Sequence, residues 1–265
     1  MSEHVTAGAS LPNFEFTESM TMVRDMARSF AEKEIRPHVM KYDESMEFPT
    51  EIVKKLGELG FLGVIFPEKY GGAGFSYLEY VAIIEEISKV DPSIGLTVAA
   101  HNSLCSNHIY MFGNEAQKQK YLPDLASGRK IGAWALTEPT SGSDAGGMLT
   151  TAILDGDHYV LNGSKTFITN GINSDLVIVA AKTDPTQKHK GMSLLVVERG
   201  MPGFERGRNL DKVGNHSQDT AELFFNDVEV PVANLLGAEG QGFLHLVTNL
   251  PQERLSIAVA CIGAA

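Results

Sequence analysis

Between Thr17 and Ile35 the apolar residues Met22, Val23, Met26, Ala27, Phe30 and Ile35 recur at helical spacing, which predicts a surface helix with one buried stripe. A second helix is expected after Pro49, with Ile52, Val53, Leu56 and Leu59 on one side and Gly60 as its stop. Ser76 with Glu79 three residues on is a capping-box signature. The helix it opens carries the stripe Tyr80, Ile83, Ile84 and Ile87 and ends before Asp91-Pro92, because the residue before a proline disfavours helical backbone. A turn-rich segment, Pro67 to Gly72, separates these two helices. From Ser93 to Phe112 the chain is apolar nearly all round, through Leu96, Val98, Ala99, Ala100, Leu104 and Ile109, as in a helix enclosed by others.

The pattern changes near Ile131. Trp134-Ala135-Leu136-Thr137 and Thr150 to Leu154 bring in β-favouring residues between turn signals. Asp155-Gly156-Asp157 ahead of His158 to Leu161 predicts a hairpin, and Asn162-Gly163 predicts another turn. Three short apolar runs follow, Leu176 to Ala180, Ser193 to Val197 and Ala221 to Phe225, at the spacing of a β-barrel or sandwich. Helical character returns at Phe243, with Leu244, Val247, Leu250, Leu255, Ile257 and Ala258 as expected buried positions. The uncharged last turn through Cys261 to Ala265 has the look of a helix cut short. The expectation is an α+β multidomain protein. An N-terminal helical bundle spans residues 1–130, a middle antiparallel β-barrel-like domain 131–237, and the truncated start of a C-terminal helical bundle 238–265.

Composition narrows the chemistry. The chain is long enough for a sizeable core, and no run approaches the about 18 apolar residues of a membrane span, so a soluble protein is expected. A formal net charge of −11 opposes nucleic acid as the main partner, and an anionic small ligand needs local positive groups. Cys105 and Cys261 lack metal or disulfide spacing. Met1 to Asn13 has neither a secretory signal nor an Arg-rich presequence, so cytoplasm is the default and a processed mitochondrial matrix protein stays open. His101 and His108, on an apolar helix without acidic or cysteine partners, suit a core or surface role better than a metal site, and no metal is expected. Lys188-His189-Lys190 reads as a solvated turn, and the glycines from Gly237 to Gly242 as a domain junction.

The loop Thr137-Glu138-Pro139-Thr140-Ser141-Gly142-Ser143-Asp144 packs hydroxyls and small residues where a strand ends. Gly142 permits close backbone approach to a ligand, and Thr137 and Ser143 can donate to carbonyl or phosphate oxygens; on these residues alone an ordinary turn is slightly favoured. The longer pattern from Ala135 to Gly147 resembles the signature of the acyl-CoA dehydrogenase family. Further resemblances follow in order at Pro67 to Gly72 with Gly74, Phe167 to Gly171, Asp219 to Leu223 and Leu235 to Gly237, so the likeness runs from about Phe16 to the end.

The resemblance implies FAD held by Trp134, Leu136, Thr137, Gly142 and Ser143, with Phe167, Ile168 and Thr169 as a second flavin contact. Many relatives carry tryptophan where this chain has Phe167. The implied reaction is dehydrogenation of an acyl-CoA to the trans-2-enoyl-CoA, with an electron-transferring flavoprotein as reoxidant and a homotetramer as the assembly. Such chemistry needs a base for the proton α to the thioester while hydride leaves the β carbon, and a buried carboxylate with a raised pKa suits it. The resemblance implies that this carboxylate comes either from the rest of the C-terminal bundle or from the helix that begins at Phe243; Leu250 to Leu255 resembles the second arrangement, that of the long-chain and isovaleryl branches, which makes Glu253 the expected catalytic base. Ser143, Thr183, Gln252, Glu253 and Arg254 are the expected substrate contacts, Arg254 pointing about 100° from Glu253 around the helix. Pro251 is expected to kink that helix. An acyl-CoA oxidase and a non-catalytic relative or inactive fragment remain alternatives.

Overall fold

A computed structural model describes residues 15–265; the reading of Met1 to Asn13 lies outside the described residues. Among the described residues, eight α-helices and eight strands are formed in the order helices, strands, helix. The first helix, α1 (Glu18–Phe30), starts at Thr17, whose side chain accepts from the Met20 N–H, and continues as a π-helical turn at Ala31–Ile35. Its buried stripe is Met20, Val23, Ala27, Ala31 and Ile35, whereas Met22 and Met26 are exposed. The stripe therefore steps by four from Val23 through the π turn, and small Ala27 and Ala31 let α1 lie close to a neighbouring helix.

After α2 (Val39–Ser45), α3 (Thr50–Glu58) buries Ile52, Val53 and Leu56 but leaves Leu59 exposed. The predicted capping box forms at the start of α4 (Tyr77–Ser88), whose Tyr80, Ile83, Ile84 and Ile87 are buried against α1. Asp91 then caps α5 (Pro92–Ala99), which runs through a π-helical segment, Ala100–Ser106, into α6 (Asn107–Phe112). One helix is not visible in the hydrophobic pattern: α7 (Glu115–Ala126) is polar, and Asn114 with Gln117 forms its capping box.

The strands are β1 (Gly132–Ala135), β2 (Thr151–Asp155), β3 (His158–Thr169), β4 (Leu176–Lys182), β5 (Met192–Glu198), β6 (Phe204–Asn209), β7 (Thr220–Pro231) and β8 (Leu235–Leu236). They pair in the order β6-β7-β3-β2-β4-β5-β8, with β1 added to β4. The sheet curls around one core, because Val177, Val179, Leu195 and Val197 from one end meet Leu223, Phe225, Val228 and Val230 from the other. It is not wholly antiparallel: β1 and β2 both pair with β4 in parallel. The opposite faces of β4 and β5 bury Ile178, Ala180, Leu194 and Val196 against Tyr121, Leu122 and Leu125 of α7, which is why these two strands read as unbroken apolar runs. The predicted turn at Asn162-Gly163 does not form: both residues run on inside β3, where Asn162 faces a bulge of β7 at Asn226-Asp227, and Gly163 has φ +147° and a side chain there would strike Thr150.

The last helix, α8 (Gly242–Ala264), runs through Pro251 as one element and packs on α4 and α5. Its buried face is not the expected one. Leu244, Val247, Leu255 and Ile257 are exposed, and the buried positions are Gly242, His245, Leu246, Asn249, Ser256 and Ala260. A helix apolar on most of its surface has two faces that periodicity cannot tell apart, and here the more polar one faces inward.

Candidate active site

Strand β1 enters the site along a close approach: a side chain on Gly132 would lie 2.5 Å from Cys105 Sγ in the π-helical segment. The chain then leaves as the Thr137–Asp144 loop, where Glu138 and Ser141 exchange backbone hydrogen bonds and Ser141 Oγ donates to Asp144 O. The end of β3 lies beside it, since Thr166 N donates to Thr137 O at 2.9 Å. Two segments about thirty residues apart, both singled out in the sequence, are thus brought side by side.

What fixes them is a buried ion pair that the sequence reading missed. Lys165 Nζ donates to Glu138 Oε1 at 2.8 Å and to Leu136 O at 3.0 Å, and the two side chains are 0% and 3% exposed. Glu138 also accepts from the N–H groups of Leu149 and Thr150. Burial pushes the Glu138 carboxyl up, but the Lys165 ammonium and these N–H donors outweigh it and hold the pKa below its ordinary value. Burial lowers Lys165 to about 8, so both groups are charged at pH 7. The signal was present: Tyr159, Leu161 and Lys165 share the inward register of β3, and an inward lysine demands an acid.

Beyond Lys165 a second bulge changes the register, and Phe167 takes φ +59° and turns outward, 67% exposed. A non-glycine residue in left-handed backbone costs on the order of 1–3 kcal/mol and tends to occur at functional sites. Ile168 is buried in the barrel core and its carbonyl accepts from Gly171 N, so its side chain is not open to a ligand. Trp134 is half-buried and stacks on His108 at 4.2 Å. Gly142 and Ser143 are exposed, and a side chain at Gly142 would meet nothing within 4 Å, so nothing in the chain itself requires glycine there.

Ser143 and Asp144 line a cavity of about 520 Å³ with Lys182, Lys188, His189 and Phe243. The exposed turn at Lys188–Gly191, expected to be merely solvated, therefore places positive groups beside the loop. The Thr183 hydroxyl is engaged with Ser193 and Gly191 O and does not line this cavity.

A second cavity, about 490 Å³ and mostly apolar, lies between α5, the π-helical segment and α8. Leu96, Ala99, Ala100 and Leu104 line one side and Leu250, Ile257 and Ala258 the other, with Thr169, Glu253 and Arg254 also at its wall. Gln252 is turned away, its amide nitrogen donating to Ser103 O and Asn249 Oδ1. The Glu253 side chain is 12% exposed. Burial raises its pKa to about 7, opposed only by a hydrogen bond from Asn249. Arg254 forms no ion pair with it among the described residues. His108, 4.0 Å from Glu253 Oε1, is lowered to about 4 by burial and is neutral at pH 7. A carboxylate of that kind, on the wall of a mostly apolar cavity and in no ion pair with Lys or Arg among the described residues, can exchange a proton near neutrality.

Comparison with known proteins gives consistent matches. Residues 17–129 match the acyl-CoA dehydrogenase N-terminal domain and residues 133–228 the middle domain. The chain is 46% identical over 253 residues to a short-chain specific acyl-CoA dehydrogenase of Clostridium acetobutylicum, covering 96% of this chain and 67% of that protein. A chain solved in work on the electron transferring flavoprotein of Acidaminococcus fermentans superposes with TM-score 0.93 at 48% identity, over 95% of this chain and 66% of that one. An acyl-CoA dehydrogenase from Bacillus anthracis complexed with FAD superposes with TM-score 0.90 at 38% identity, over 96% of this chain and 44% of that one. The chain thus spans about two thirds of the length of the first two.

Proposed function

Because the chain belongs to the acyl-CoA dehydrogenase family, a family of FAD-dependent oxidoreductases, we propose that it oxidises an acyl-CoA thioester to the trans-2-enoyl-CoA with Glu253 as base. The observation that carries this reading is Glu253 itself: a carboxylate raised to about 7 on the wall of an apolar cavity that it shares with Thr169 of the second flavin motif. The residues present suit the cofactor. Phe167 turns outward, the Gly142-Ser143 backbone is exposed, and the strand end and the loop that carry them are joined by Thr166 N donating to Thr137 O and by Lys165 with Glu138. Trp134, Leu136, Thr137, Gly142, Ser143, Phe167, Ile168 and Thr169 are the residues proposed to hold it.

FAD, when bound, supplies the hydride acceptor. The chain's own residues do the rest. The cavity between α5 and α8 takes the acyl tail and excludes water from it, and Glu253 accepts the proton α to the thioester carbonyl. Lys182 and Lys188 beside Ser143 suit a ligand phosphate, giving an acidic chain the local positive charge an anionic ligand needs. Arg254 opens on the acyl cavity and is a proposed substrate contact. An electron-transferring flavoprotein is the proposed reoxidant. In the FAD-loaded protein, Glu253→Gln is expected to keep its flavin spectrum and lose bleaching by acyl-CoA. Full bleaching in that variant would place the base elsewhere, and peroxide release in air would mark an oxidase instead.

A further inference from the structure

The buried face of α8 carries an amide whose every hydrogen-bonding atom is used. Asn249 is 0% exposed. Its Oδ1 accepts from Asn107 Nδ2 at 2.6 Å and from Gln252 Nε2 at 2.9 Å. Its Nδ2 donates to Ser103 O at 2.9 Å and to Glu253 Oε1 at 2.5 Å. Because Asn107 and Gln252 can offer only N–H groups here and Ser103 O can only accept, the amide cannot turn over without breaking several bonds. Glu253 is one helical turn further along α8, so the contact is an i, i+4 pair whose donor is held by the neighbouring helix. Among the described residues Glu253 Oε2 has no hydrogen-bond partner.

We propose that Asn249 is a positioning residue for the base: it holds one oxygen of Glu253 in a fixed place, favours its ionised form, and leaves the other oxygen to face the acyl cavity. The inference rests on the reading of Glu253 as base. No other group nearby takes this role. His108 Nδ1 must donate to Leu104 O, which can only accept, so its approach to Asn249 is a contact and it offers Glu253 no hydrogen. From α4, Tyr77 and Tyr80 face the same region, and burial raises both phenols, so they are neutral. The acids of α4 are held elsewhere, Glu79 by Ser19 and Ser76, Glu85 by Lys89, and Glu86 by Arg28 and Lys89. Arg254, the charged neighbour on α8 itself, makes no ion pair with Glu253 among the described residues.

The test measures the rate of flavin reduction by a saturating acyl-CoA as a function of pH in the FAD-loaded protein. Asn249→Leu removes the donor at nearly constant volume. Its pH midpoint is expected to rise by about one pH unit, with a roughly fivefold lower rate at pH 7 and unchanged affinity for an unreactive acyl-CoA analogue. Asn249→Asp puts a second carboxyl beside the first and is expected to raise the midpoint further. A purely structural residue would alter flavin content or melting temperature without moving the midpoint. Wild-type midpoints in these variants overturn the proposal. If neither variant loads FAD, Asn107→Ala, which loosens the amide without touching Glu253, is judged by the same criterion, with a smaller upward shift expected. Glu253→Gln separates the two readings: bleaching retained there refutes the base itself, whereas bleaching lost there with an unmoved Asn249→Leu midpoint refutes only the positioning role.

Discussion

Two buried glutamates, Glu138 and Glu253, show how environment assigns opposite roles to one side chain. Glu138 meets an ammonium and two backbone N–H donors, and its pKa lies below the ordinary value. Glu253 meets one amide and a neutral imidazole, and burial lifts it to about 7. The first is locked in its charged form and ties a loop to the sheet. The second is poised between forms and faces a cavity. When environments push the pKa values of two like groups apart, the roles separate with them.

Breaking the locked pair should have the largest effect. Lys165→Met leaves Glu138 charged and buried without its cation, and the expected loss of stability is about 3–5 kcal/mol. The Thr137–Asp144 loop should loosen as well, because Lys165 also holds Leu136 O, so FAD content should drop. Replacing both residues together, Lys165→Met with Glu138→Leu, should restore much of the stability, since no charge is then stranded. Denaturant titration of the three variants checks this. A single variant as stable as the parent would mean that water or a neighbour satisfies Glu138, and the contrast with Glu253 would lose its basis.

Glu253 should behave in the reverse sense. Its folded pKa of about 7 exceeds that of an unfolded glutamate, about 4.3, so between those values the folded state binds more protons than the unfolded one. Stability therefore falls as pH rises through that window. Glu253→Gln removes the slope, and it should be more stable than the parent by about 3–4 kcal/mol at pH 8 and nearly equal to it at pH 4. Melting curves across that range test the sign. Glu138 has the opposite linkage, its stabilisation being present above the unfolded value and lost as pH falls toward the lowered folded value.

The sequence revealed one glutamate and hid the other's partner for physical reasons. Elements governed by local chemistry were legible: the Ser76 capping box, the Tyr80 to Ile87 stripe and the β4 and β5 runs all form as their residues imply. Where tertiary packing decides, local signals failed. Asn162-Gly163 looks like a turn but is absorbed into β3, because β7 continues the pairing on either side and takes up the irregularity as a bulge of its own. The inward face of α8 carries Asn249, Ser256 and the Glu253 network, whereas Leu244, Val247, Leu255 and Ile257, expected inside, lie outside. Hydrophobic periodicity takes polar residues for surface, so it inverts where the interior is polar. Lys165 was missed for the same reason, although its register pointed inward. Glu253 was found through a motif rather than through its surroundings, and the Asn249 network that gives it a defined environment joins segments about 140 residues apart.

The smallest predicted effect concerns His108, and it bears most directly on what separates the two glutamates. If the raised pKa of Glu253 reflects the lack of a neighbouring cation, the imidazole 4.0 Å away must be neutral, as burial to about 4 implies. His108→Gln removes the titratable ring while keeping an amide able to donate to Leu104 O. The pH midpoint of flavin reduction should then stay within roughly a few tenths of a pH unit of the parent. Removal of an imidazolium would instead raise it by a unit or more, because the ionised carboxylate would lose a favourable charge. A large upward shift in His108→Gln would make Glu253 one half of an ion pair, as Glu138 is, and difference in cation contact would no longer explain why one carboxylate is locked and the other is free to take a proton.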